Sequence, residues 1–119
     1  MSERHDTIRF RHASARGPWW ILVDLSDAAL SWRDAERPCA LTNDEHARVE
    51  ALARAVRAEH ASLQPSHVTY AQDESLEIVL GDAHVVIDAS NGEITVGPPG
   101  ALVEAMHAIV WARRDAAAR

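Results

Sequence analysis

The sequence predicts one α+β domain over residues 1–119: a mainly antiparallel sheet, built from two N-terminal strands plus a four-strand meander, with two main helices packed on it. Three observations carry this prediction. Residues 7–11 alternate polar and apolar, and residues 19–25 are apolar on both faces apart from Asp24. Thr42 and Glu45 have the spacing of a capping box at the head of a long amphipathic stretch. Residues 67–96 hold short apolar runs separated by the turn dipeptides Gly81-Asp82 and Asn91-Gly92.

In chain order, Ile8 and Phe10 mark the buried side of a first strand, with Thr7, Arg9 and Arg11 on the other side. Gly17-Pro18 breaks it, and the apolar run that follows suits a central strand covered on both faces. Residues 26–37 are ambiguous. Ser26 or Asp27 could cap a short helix through Leu30 and Trp32, ended by Pro38.

From Thr42 to about residue 63 the chain is rich in Ala, Glu and Arg, which favour helix. At helical spacing Val49, Leu52, Ala53, Val56 and Leu63 gather on one stripe. Strands are then expected at 68–70, 76–80, 83–88 and 93–96. A two-residue Gly81-Asp82 loop pairs Leu80 with Ala83, Ile78 with Val85 and Leu76 with Ile87, so that all six face one core. After Gly97-Pro98-Pro99-Gly100, a second helix is expected from 101 to about 115, with Leu102, Met106, Ile109 and Val110 inward. Residues 1–6 and 116–119 are expected to fray.

Composition bounds the function classes. The chain has 119 residues, 47% hydrophobic and 25% charged, the makeup of an ordinary globular domain. Its one cysteine, Cys39, excludes an intrachain disulfide. Residues 1–14 lack the apolar core of a secretory signal, and the longest apolar run, residues 19–23, falls far short of the roughly 20 needed to span a bilayer. A cytoplasmic protein without membrane contact is expected. Its Ala/Arg-rich, lysine-free makeup matches the codon usage of a high-GC bacterium. The net charge of −6 repels phosphates and argues against nucleic acid, although Arg4, Arg9, Arg11 and Arg16 cluster near the start.

No recognisable catalytic, nucleotide or metal motif is present: no HExxH, CxxC, GxSxG, GxGxxG or P-loop occurs. No metal and no cofactor are therefore expected, and the seven histidines are not spaced as ligands. His60 projects inside the apolar stripe of the first helix. Glu77, His84 and Asp88 share the face of the meander turned away from the core. These four residues define an alternative pocket where a carboxylate beside an imidazole could do acid–base work. Val79 and Val86 on that same face suggest that something covers part of it.

The most informative anomaly is Trp111. On the second helix it lies about 140° from Met106, off the apolar stripe, with His107 and Arg114 on the same flank. Tryptophan and arginine are the types most enriched at binding hot spots. A covering loop carrying Trp32 would instead make this flank internal. Adjacent Trp19 and Trp20 must point to opposite faces of their strand, so one of them is under a helix or on the second face. Trp111, His107, Arg114, Trp20 and Trp32 are thus the interface candidates.

The function these features favour is a small acidic protein-binding module: an inhibitor, an immunity-type protein or a subunit of a small complex. Its partner would be another protein, suitably a basic one, or a second copy forming a homodimer, for which an edge strand near residues 94–96 is one candidate. The alternative is a small-ligand-binding protein or enzyme with a Trp/His-lined pocket between sheet and helices. An enzyme ranks behind a binding module.

Overall fold

A computed structural model describes residues 6–13, 17–35, 37–60, 74–81, 83–89 and 97–118, without the side chains of His60, Asp88, Ala89, Ala117 and Ala118. The elements run β1 (Thr7–His12), β2 (Trp19–Asp24), β3 (Ala29–Trp32), β4 (Cys39–Ala40), α1 (Asn43–His60), β5 (Glu74–Leu80), β6 (Ala83–Ala89) and α2 (Gly97–Ala118). The strands form one antiparallel sheet in the order β4-β3-β2-β1-β5-β6. The fold is therefore α+β, as the sequence predicts. The two N-terminal strands belong to the same sheet as the later hairpin, because β1 pairs with both β2 and β5. Expected strands at 68–70 and 93–96, and the edge near 94–96, lie outside the described residues.

The β5–β6 hairpin has the predicted register, with Leu80 opposite Ala83, Ile78 opposite Val85 and Leu76 opposite Ile87. Gly81 at its tip has φ of +56°, which glycine adopts without a Cβ clash. The Asp6 carboxylate accepts the Gly81 N–H at 2.8 Å and so ties the chain ahead of β1 to that tip.

The described residues of 26–37 are not helical. A turn at 25–28, in which Asp24 Oδ1 accepts the Asp27 N–H at 3.1 Å, leads into β3. Ala28 takes a φ of +52°, a conformation incompatible with an entering helix. Leu30 and Trp32 then alternate inward with Ala29 and Ser31, so period 2 prevails over the helix-forming alanines.

The capping box is present. Glu45 N–H donates to Thr42 Oγ1 at 3.1 Å, and Thr42 N–H donates to Glu45 Oε1 at 2.9 Å. The second helix begins at Gly97, four residues earlier than expected from its prolines. Pro98 and Pro99 sit in its first turn, where the missing N–H groups have no intrahelical partner to lose. It also runs to Ala118.

One face of the sheet and the inward stripes of both helices make a single core. Ile8, Ile21, Val23, Leu76 and Ile78 from the sheet meet Val49, Ala53 and Val56 of α1 and Leu102, Met106 and Val110 of α2. Arg113, near the end of α2, reaches Ala40 O at 3.3 Å and the Glu45 carboxylate, which joins that helix to the start of α1. Among the described residues no helix is long and apolar enough to cross a membrane.

Candidate functional site

β1 and β2 are paired so that Trp19 stands opposite His12 at the end of the sheet's inner face. From there Trp19 reaches α2. Its indole N–H donates to Nε2 of His107 at 3.1 Å. Nδ1 of His107 lies 2.9 Å from the Val103 carbonyl, which can only accept, so Nδ1 carries the proton and Nε2 is free to receive the indole N–H. This geometry requires the neutral imidazole. The Phe10 ring meets the same imidazole edge-on, with centroids 5.4 Å apart.

One helical turn beyond His107, Trp111 stacks against Trp19, with centroids 6.0 Å apart and planes 15° from parallel. Arg114 lays its guanidinium carbon 4.9 Å from the Trp111 ring centre, within range of a cation–π contact. Among the described residues Arg114 has no carboxylate partner. The assembly runs from the core at Phe10 outward through His107 and Trp19 to Trp111, which remains 48% exposed.

The predicted trio of Trp111, His107 and Arg114 is therefore brought together, and the partner that braces it is Trp19. No loop carrying Trp32 covers this flank. Trp32 lies in the core, 7% exposed, and is not available as an interface residue, because strand β3 directs it inward. Trp20 is half-buried on the opposite face of the sheet. Sequence reasoning placed Trp19 and Trp20 on opposite faces but left open which one lay under a helix. Only the pairing of β2 with β1 and the placement of α2 decide it.

On the sheet face turned away from α1 and α2, His84 Nε2 and Glu77 Oε2 are 2.9 Å apart, with both side chains well exposed. Arg9 sits beside Glu77 on β1. The side chains of Asp88 and His60, the other two members of the alternative pocket, lie outside what is described. Val86, 40% exposed, occupies the same face. Glu74, which together with Asp73 reads from the sequence as part of a turn, instead begins β5, where it is only 7% exposed and 3.8 Å from Nδ1 of His12 at the sheet end next to Trp19.

A shallow groove of about 310 Å³ opens between the helices, lined by Glu45, Arg48, Glu104, Ile109 and a row of alanines, with no tryptophan or histidine. Burial opposes ionisation of Glu45. The N–H of Thr42 and the Arg113 guanidinium outweigh it, so the carboxyl titrates below its ordinary range. Among the described residues no three His, Cys, Asp or Glu side chains are grouped to hold a metal ion. Searches of protein-family models and of curated proteins find no match to the chain.

Proposed function

We propose that this chain is a protein-binding module and that the Trp111 flank of α2 is its docking surface. The observation that carries the reading is a large indole half in solvent and yet held in place, by Trp19 on one contact and Arg114 on another. An ordered side chain has little rotamer freedom left to lose on binding, so its burial translates into affinity. A tryptophan beside an arginine is also the composition of an interface hot spot. The net charge of −6 favours basic partners in an inhibitor or immunity-type role, and a second copy of the chain is the other candidate.

The test is capture by tagged wild type and tagged Trp111→Ala, in cells that also express an untagged copy, read by mass spectrometry. The expected result is a stoichiometric protein, foreign or the untagged copy, held by wild type and lost by a variant that remains folded. A bound protein that Trp111→Ala retains equally would overturn the assignment of this surface.

A second reading, a small-ligand site or enzyme, has one observation in favour: the Glu77–His84 pair at 2.9 Å. Both groups stand on an open sheet surface, where water competes for each of them, so acid–base work there would need a cover that excludes water.

A further inference from the structure

The outward side of α2 carries more order than Trp111 alone. Glu104, His107, Trp111 and Arg114 follow one another at intervals of three, four and three residues, the spacing of a heptad seam along one side of a helix. Glu104 and Arg114 mark its two ends, about 15 Å apart at 1.5 Å per residue. Both are exposed, and among the described residues neither has an ion-pair partner. Ala108, also exposed, lies beside the seam and leaves room for a close approach of another backbone.

Resting on the reading of this flank as a docking surface, we propose that its occupant is a second copy of the chain, with the two α2 helices antiparallel about a two-fold axis between His107 and Trp111. In that arrangement the seam is complementary to itself. Glu104 faces the second copy's Arg114, Arg114 faces its Glu104, and each Trp111 packs over the other copy's His107. A two-fold contact repeats every favourable pair, so one acid and one base per chain supply two interchain ion pairs. The parallel arrangement would instead set Glu104 against Glu104 and Arg114 against Arg114, and is disfavoured by that repulsion. Arg114 is already spread on the Trp111 ring, which points a preorganised fork of donors at the incoming carboxylate.

Four side chains per copy along about 15 Å make a small contact, below the roughly 1,200 Å² that marks a stable association. The dimer is therefore reversible and dependent on concentration, and its charged ends make it weaker in high salt.

The test is analytical ultracentrifugation of the full chain across a wide concentration range, at low and at high salt. Wild type should form a dimer. Glu104→Arg alone and Arg114→Glu alone should each weaken it at least tenfold, since each places like charges opposite one another twice. An equimolar mixture of these two variants should dimerise again, because both interchain pairs then join unlike charges. Circular dichroism of each variant confirms that it is folded. If either fails to fold, Glu104→Gln and Trp111→Ala should each weaken the dimer. Monomeric wild type, a dimer that these changes leave untouched, or a mixture that does not recover would overturn the proposal. The reading of the surface fails separately: a foreign protein lost on Trp111→Ala would keep the docking surface while excluding the second copy as its occupant.

Discussion

The indole N–H of Trp19 donates to Nε2 of His107 at 3.1 Å, joining residues 88 apart in the chain. This bond fixes the tautomer of the histidine and the orientation of the tryptophan on which Trp111 stacks. Replacing the imidazole by a ring without an acceptor should leave the indole N–H unpaired in a part-buried setting. His107→Phe is expected to lose about 1 kcal/mol by urea denaturation, with a change in near-ultraviolet circular dichroism from the disturbed tryptophans. Unchanged stability and spectrum would show that the bond does not order the stack.

Trp111 and Trp32 should respond differently to truncation. Only about half of Trp111 is buried, so Trp111→Ala forfeits part of a tryptophan's burial together with its stacking on Trp19 and is expected to lose about 1–3 kcal/mol. Trp32→Ala removes a ring that is 7% exposed and should lose about 3–5 kcal/mol. Equal losses would place both rings in the core.

Ile78, 1% exposed on a strand flanked by β1 and β6, tests the hairpin register. Ile78→Ala should destabilise by about 2–5 kcal/mol, whereas Glu77→Ala, one residue away on the open face, should fall within about 0.5 kcal/mol of neutral. A reversed order would mean a one-residue slip.

That hairpin was legible because turn chemistry and alternation agree: Gly81-Asp82 sets a register that puts six apolar residues on one face. The cap of α1 was legible for the same reason, since Thr42 and Glu45 need only each other. Residues 26–37 stay ambiguous in the sequence because their alanines also suit a helix, while the deciding features are the Asp24 side-chain bond to the Asp27 N–H and the positive φ of Ala28. The start of α2 misled because two adjacent prolines read as punctuation, although a first helical turn accepts them. At the site, one helix face supplied Trp111, His107 and Arg114 together. The contribution of Trp19 came from another element, and no local pattern encodes that contact.

The depressed titration of Glu45 gives a pH dependence with a definite sign. Its ordinary value is 4.5, and in the folded chain it lies lower. The carboxylate therefore stabilises the fold above the ordinary value, and that stability is lost as pH falls through the folded value. Wild type should be more stable than Glu45→Gln at pH 7, and the gap should narrow on acidification below about pH 4.5. Thr42→Ala should lose about 1 kcal/mol through the same cap. A gap that widens in acid would contradict the ion pair with Arg113.

The first of the described strands lies inside the sheet, between β2 and β5. β1 to β4 are sequential neighbours and can associate as soon as they leave the ribosome. The far edge of β1 must wait until Val79 arrives opposite Thr7. Closing so distant a contact is slow, because the entropy of the intervening chain is lost before the pairing returns any stability. A nascent chain halted before β5 thus carries an uncapped edge along Ile8 and Phe10, without the hairpin and α2 that later enclose it. Chaperone capture and aggregation would both act on that edge, and the speed of β1–β5 docking decides how long it stays exposed.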